Sequence, residues 1–312
     1  MGNVLRRIGF GGRRGVQAEP HQQAHPANLR PGVANDMGGR PHMEDFALWS
    51  VAGGPQFLRG FFVVCDGHGG QDAAKFTSEN LLRYTLVDEN LRRDLGVALR
   101  ASFLRADSEF RKEAAAGRLS PSGTTALVAV VLGRRMVLAS AGDCRAILSR
   151  NGVASELTND HKPDSPTERR RIEAAGGFVD CDGYLNGDLA VSRAIGDHHL
   201  PHLKCLDGSG PLIADPEVCE VPLGDAEEFL VLTSDGVWMR RQTVVDLVRD
   251  SLRKFNCPTK ASQAVVEAAV KSDAHKDNVT VVVVCLKPDP PAPKPRIRNS
   301  NSRLRINRDS LQ

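Results

Sequence analysis

No stretch of this 312-residue chain approaches the roughly 18 consecutive apolar residues that a membrane-spanning helix needs. The longest predominantly apolar run, Val279 to Leu286, is strand-sized. A disulfide or zinc framework is equally missing. The seven cysteines (Cys65, Cys144, Cys181, Cys205, Cys219, Cys257 and Cys285) are odd in number and none follows CxxC spacing. Cys65 and Cys285 sit inside apolar runs, where a free thiol acts as a small hydrophobe. That usage predicts a reducing compartment, cytoplasmic or nuclear. Residues 1–30 lack the apolar core of a secretory leader, and no internal repeat is visible.

Hydrophobic residues at 41% and charged residues at 25% are ordinary globular proportions, which exclude a fibrous or wholly disordered chain. The net charge of +3 hides an uneven distribution. Residues 1–30 hold five Arg against one Glu, and residues 287–312 hold seven Lys/Arg against two Asp. The middle therefore carries 29 basic against 35 acidic residues. We expect a disordered basic tail at 1–30, one folded domain at 31–286, and a Pro-rich basic tail at 287–312. No nucleic-acid partner is expected.

Strands are expected at Phe61–Cys65, Thr124–Leu132, Met136–Ser140, Arg145–Leu148, Phe229–Thr233 and Val279–Leu286. Several are continuously apolar, as strands covered on both faces must be. Over 97–115, Leu99, Phe103, Ala106 and Phe110 recur at helical spacing. Ser165-Pro166-Thr167-Glu168 reads as a capping box, with Gly176-Gly177 closing the short helix. Over 242–255, Val244, Val248, Leu252 and Phe255 share one face. Consecutive short strands through 124–148, with helices before and after, predict an α+β fold rather than a regular parallel one.

Acidic residues recur where these strands begin or end. Asp66 follows Phe61–Cys65, Asp235 follows Phe229–Ser234, Asp277 precedes Val279, Glu44-Asp45 precedes Phe46, and Asp143 follows Gly142. Any one alone would ordinarily be a turn residue or helix cap. Five gathered on rigid strand ends would repel one another unless cations compensated them. Hard oxygen ligands without paired thiolates or imidazoles point to Mg²⁺ or Mn²⁺ rather than zinc. Glycine beside an Asp lets a backbone carbonyl approach such an ion.

Seven segments then occur in a familiar order. They are Arg40-Pro41-His42-Met43-Glu44-Asp45, Asp66-Gly67-His68-Gly69-Gly70, Ser122-Gly123-Thr124-Thr125, Ala141-Gly142-Asp143-Cys144-Arg145, Leu189 through Gly196-Asp197, Ser234-Asp235-Gly236, and Lys276-Asp277-Asn278-Val279-Thr280. Together they resemble the signature set of the type 2C (PPM) metal-dependent protein phosphatases over about 35–286. Asp182-Gly183-Tyr184-Leu185-Asn186-Gly187 resembles plant members in particular.

The resemblance implies a central β-sandwich of two mainly antiparallel sheets, flanked by helices, with a two-metal site at one end. It implies hydrolysis of phosphoserine and phosphothreonine in protein substrates by a metal-activated water, in a monomer. Asp66 would bridge two Mg²⁺ or Mn²⁺ ions, and the Gly67 carbonyl would bind one. Asp235 and Asp277 would ligate on one side. Asp45, with Glu44 beside it, would hold metal-bound water. Asp143, with Asp235, would hold a weaker third ion. Arg40 would clamp the phosphate, for which its planar fork suits. His68 would be the general acid that protonates the leaving alkoxide. Residues 161–206 would form the family's variable flap, where substrate choice would reside.

One departure stands out. The family usually has Trp-Asp where Trp238 is here followed by Met239-Arg240-Arg241. That change puts the loop packing behind the site in question, and the alternative reading is a catalytically impaired member that binds phosphoproteins or a regulator. At the amino end, Gly2-Asn3 resembles a myristoylation start, although position 6 is Arg6 rather than Ser or Thr. Arg6, Arg7, Arg13 and Arg14 would supply the second signal that one acyl chain needs for peripheral membrane contact.

Overall fold

The computed structural model describes residues 6–7, 29–51, 58–205, 207–271 and 277–293. In chain order the strands are β1 (Arg6–Arg7), β2 (Arg30–Asp36), β3 (Phe46–Val51), β4 (Leu58–Cys65) and β5 (Gly67–His68). Helices α1 (Asp72–Val87) and α2 (Leu95–Ala115) follow. Next come β6 (Gly123–Thr124), β7 (Ala126–Leu132), β8 (Arg135–Ala141), β9 (Arg145–Arg150) and β10 (Val153–Glu156). The chain continues through α3 (Pro166–Ala174), β11 (Ile195–Gly196), β12 (Glu217–Pro222), β13 (Glu227–Thr233), α4 (Arg241–Phe255), α5 (Pro258–Val270) and β14 (Val279–Cys285). One sheet has the order β1-β3-β4-β7-β8-β12 and a second β10-β9-β13-β14-β2, both antiparallel throughout. A small third sheet runs β11-β6-β5.

Alternate residues of the apolar strands serve two different cores, which is why these strands read as unbroken hydrophobic runs. Phe62 and Val64 of β4 meet Leu127, Leu230 and Val282 between the two sheets. Phe61, Val63 and Cys65 face the other way, against Leu81 of α1 and Leu99 and Phe103 of α2. The second sheet repeats the device. Phe229, Val231, Val281 and Val283 pack on Val244, Val248 and Leu252 of α4 and Val265 of α5. Helices thus cover both outer faces of a sandwich, the α+β architecture expected. Each fully buried Phe or Val contributes about 1.5–3 kcal/mol, whereas an exposed ion pair contributes about 0–1. Burial therefore dominates this fold.

Several boundaries differ from the sequence reading. The expected strand Thr124–Leu132 is two strands, because Thr124 belongs to the small sheet while the Thr125 amide donates to the Asp66 carbonyl. Phe255, expected on the buried face of α4, is exposed, with Lys254 and Lys260 over its ring. The Ser165 side chain makes no cap bond, so the expected capping box does not form. Residues 287–292, expected to begin a tail, are tied to the body instead. Arg30 bonds the Lys287 carbonyl, and Arg249 bonds that of Ala292. Within the expected amino-terminal tail, Arg6–Arg7 pairs with Trp49 and Leu48 along the edge of the first sheet. Gly2, Arg13 and Arg14 lie outside the described residues, as do 294–312.

The flap has its own core of Ile172, Leu185, Val191, Ala194 and Leu203, which Leu212 beyond the flap completes. Glu168 anchors it. Its buried carboxylate accepts bonds from Arg193 (2.6 Å), Ser192 (2.7 Å) and Arg171 (2.9 Å). Burial alone would raise this carboxyl's pKa, but the bonds from Arg193 and Ser192 and the charge of Arg171 overcome it and hold it down at about 2. A depressed carboxylate stabilises the fold above its ordinary range and loses that contribution only as the pH falls through about 2. Glu168→Ala would strand two arginines in the flap, at a cost of about 3 kcal/mol, the low end for breaking a buried ion pair. Hydrogen exchange should then rise across the flap amides while the sandwich amides keep their protection.

Candidate functional site

Antiparallel pairing carries the five acidic positions to one end of the sandwich. Phe46 opposite Cys65 places Asp45, just before β3, beside Asp66, just after β4. Thr233 opposite Val281 does the same for Asp235, after β13, and Asp277, before β14. The β8–β9 turn, which crosses from one sheet to the other, holds Asp143 at that end too. Gly38 closes the ring from the side. Its φ is +60°, and a β-carbon there would stand 2.0 Å from the Asp277 carbonyl oxygen, so only glycine lets this turn lie so close.

The electrostatics show how tightly the carboxylates are gathered. Burial pushes Asp45 up to about 7, the Ser234 and Thr280 hydroxyls oppose that rise, and the Asp235 and Asp277 charges add to it. Asp45 is fully buried, yet neither of its oxygens receives a hydrogen bond of normal geometry. Asp66 is driven well above the usual range by burial and then by Asp45, Asp235, Asp143 and Asp277. Asp235 is lifted to about 6 by burial and by Asp143 and Asp277, against opposing effects of Lys162 and a hydrogen bond with Asp66.

Two cations reach into this cluster. Arg40 Nη2 holds Asp277 Oδ2 at 2.6 Å, and the Lys162 amine pairs with Asp143 Oδ2. Among the described residues no three His, Cys, Asp or Glu side chains already form a closed set of ligands. The outer carboxylates Asp277 and Asp143 are engaged by these cations instead. The donor chemistry fits a hard divalent ion. The inner residues are all carboxylates, one of them with both oxygens buried and without a hydrogen bond of normal geometry. The nearby thiols of Cys65 and Cys144 are pushed upward, chiefly by burial, and stay protonated. Protonated thiols are not metal ligands.

The small third sheet positions His68. His68 of β5 lies opposite Gly123 of β6, which in turn lies opposite Gly196 of β11. This register brings Asp197, next after β11, to His68. The imidazole Nε2 lies 3.0 and 2.9 Å from the two Asp197 oxygens. The His68 side chain is 29% exposed and that of Asp197 only 1%. Burial lowers the imidazole pKa, but the charge and hydrogen bond of Asp197, with smaller help from Asp143 and Glu44, leave it raised overall.

Three residues beside the expected set emerge here. Asp197 partners His68, and Lys162 neutralises Asp143. Asn278, 5% exposed, accepts from the Glu44 amide at 2.8 Å and donates to the carbonyls of Met37 and His42 at 2.9 and 3.0 Å. It thereby shapes the loop that carries Arg40. Asp197 and Asn278 fall within sequence segments already singled out, but nothing in those segments says what the side chains touch.

The Trp238 departure does not loosen the loop. Met239 packs against the α4–α5 core, and Arg241 bonds Glu156 at 2.6 Å. Trp238 itself stands 65% exposed.

Comparison with known proteins agrees with this geometry. The family described as Protein phosphatase 2C matches residues 37–279. "Probable protein phosphatase 2C 22" of Arabidopsis thaliana is 44% identical over 275 residues, 83% of this chain and 69% of its own length. "Probable protein phosphatase 2C 57" of Oryza sativa subsp. japonica is 43% identical over 270 residues, 82% of this chain and 72% of its own. A serine-threonine phosphatase 2C structure from Toxoplasma gondii superposes with a TM-score of 0.73 at 23% identity, covering 84% of this chain and 96% of that one. The structure of a C. elegans sex determining protein gives 0.75 at 24% identity, covering 84% of this chain and 66% of that one. At such identities these two structures establish the shared fold. The plant relatives and the family match go further: the chain belongs to the protein phosphatase 2C family and is similar to its plant members.

Proposed function

We propose that this protein phosphatase hydrolyses phosphoserine and phosphothreonine esters of protein substrates at the acidic end of its sandwich, using divalent cations and a histidine proton donor. The observation that carries this reading is the joining of two features at one end. Buried carboxylates with raised proton affinity lie together, and His68 stands at their side on a buried aspartate.

Asp66, Asp235 and Asp277, with the Gly67 carbonyl, are the groups that would hold two Mg²⁺ or Mn²⁺ ions. Asp143 would serve a weaker third ion, for which the Lys162 amine competes. When bound, such ions polarise phosphoryl oxygens and acidify water. Asp45 and Glu44 would orient that water. Arg40, with its side chain 56% exposed, would exchange Asp277 for the phosphate oxygens as the carboxylate engages an ion. The Asp197 bond to Nε2 leaves Nδ1 as the His68 nitrogen free to donate. Its proton would pass to the seryl or threonyl oxygen as the phosphorus–oxygen bond breaks, releasing a neutral hydroxyl rather than a poor alkoxide leaving group.

Exhaustive chelation should therefore remove activity toward a phosphothreonine peptide. Mg²⁺ or Mn²⁺ should restore it and Ca²⁺ should not, because the larger ion prefers looser coordination at longer distances. Full turnover after EDTA dialysis would rule this reading out.

A further inference from the structure

Asp107 lies in the middle of α2, outside every segment that carried the family resemblance. Its carboxylate is spent on the stretch that follows β11. Oδ1 accepts from the Gly196 amide at 2.8 Å and from Lys204 Nζ at 2.7 Å, and the His198 Nε2 stands 3.2 Å away. Lys204, with its side chain only 2% exposed, also donates to the Ala194 carbonyl at 2.7 Å. These partners bracket Asp197. Gly196 precedes it, His198 follows it, and Lys204 closes the loop seven residues on.

Asp197 needs such a frame. Its φ of +59° is a left-handed conformation that is costly for a residue bearing a side chain. Its amide donates to the Ser122 carbonyl at 2.9 Å. Its carboxylate lies across Gly123, where a β-carbon would stand 2.0 Å from Oδ2. Both Asp197 oxygens then meet His68 Nε2. A buried Lys–Asp pair is a weak source of stability, because desolvation offsets most of the Coulombic gain. Its placement on both flanks of a strained residue suits the fixing of geometry.

We propose that Asp107 and Lys204 are positioning residues that fix Asp197 and, through it, the His68 ring for proton delivery. The proposal rests on the reading of His68 as proton donor. A bare structural fastening of the flap to α2 would lower stability without distinguishing one substrate from another. Positioning distinguishes them, since an aryl phosphate has a good leaving group and needs little protonation.

The test measures Asp107→Asn, and the charge-free pair Asp107→Asn with Lys204→Met, on a phosphoserine peptide and on an aryl phosphate. The double variant removes the uncompensated buried ammonium and keeps a foldable protein in the series. The expected result is a fall in kcat on the peptide of about ten- to a hundred-fold, the size of a modest misplacement of a catalytic group. KM, Mn²⁺ affinity by calorimetry and aryl phosphate turnover should hold. In a His68→Gln background, Asp107→Asn should produce no further loss. Equal losses on both substrates, or a full further loss in the His68→Gln background, would overturn the positioning role alone. If His68→Gln itself impairs both substrates equally, the proton-donor reading falls and this proposal with it.

Discussion

Asp235→Asn is expected to abolish turnover at low-millimolar Mn²⁺ and weaken calorimetric Mn²⁺ binding while leaving the ion-free protein at least as stable as the parent. Asp235 follows β13 among carboxylates that raise its proton affinity, and its pKa is lifted to about 6 by burial and by Asp143 and Asp277. A carboxyl with a raised folded pKa contributes stability that is fully present below its unfolded value. That contribution is lost as the pH climbs from about 4 through about 6. Asp45, raised to about 7, extends the loss slightly higher. The ion-free parent should therefore melt progressively lower between acidic and neutral pH, and Asp235→Asn should flatten that slope. Saturating Mn²⁺ should raise the melting temperature of the parent at neutral pH, since a ligand that binds only the folded state stabilises it by mass action. A turn-capping role predicts the reverse, a loss of about 0.5–2 kcal/mol with metal affinity intact. A destabilised variant with normal metal affinity and activity would remove Asp235 from the site.

Strand ends were legible because two independent signals coincide there. An apolar run stops at an Asp, and antiparallel neighbours start or stop at the same level. The α+β class followed from the same runs, because their alternate residues must be covered on both faces, whereas the sandwich itself came from the family resemblance. What escaped was structure whose local pattern argues against it. β2 carries Pro31 and Gly32 yet pairs fully with β14, which it can do because among the described residues it is the edge strand of its sheet. β12 alternates too weakly to stand out, since only Val221 among its residues is buried. Helix α1 mixes Lys75, Glu79, Asn80 and Arg83 with its buried positions, which dilutes its stripe. The capping-box pattern at Ser165 misled for a different reason: Glu168 finds two arginines and a serine in three dimensions, and these outcompete a local backbone amide. Asp107 was not legible at all. An acidic residue in a helix is ordinarily solvated, and its partners Gly196 and Lys204 lie 89 and 97 residues along the chain.

His68→Gln should lower kcat on phosphoseryl and phosphothreonyl peptides by roughly 10²–10⁴-fold, the usual span for a lost general acid. An aryl phosphate should suffer far less, because its leaving group departs without a proton. Arg40→Ala should behave differently, raising KM while changing the leaving-group dependence little, since a clamp on the phosphate does not discriminate among leaving oxygens. The contrast follows from where the two side chains stand. Arg40 is paired with Asp277 of the carboxylate cluster at 2.6 Å, whereas His68 is held by Asp197 beside the small sheet. Asp197→Asn gives a third arm. It keeps the bulk of the carboxylate but removes the charge that raises the imidazole pKa against the opposing effect of burial. The imidazole should then lose its proton at lower pH, so the alkaline limb of the peptide kcat profile should move downward while the aryl phosphate profile stays in place. Equal sensitivity of both substrates to His68→Gln, with no movement of that limb in Asp197→Asn, would leave His68 without a proton-donor role and place the donor elsewhere.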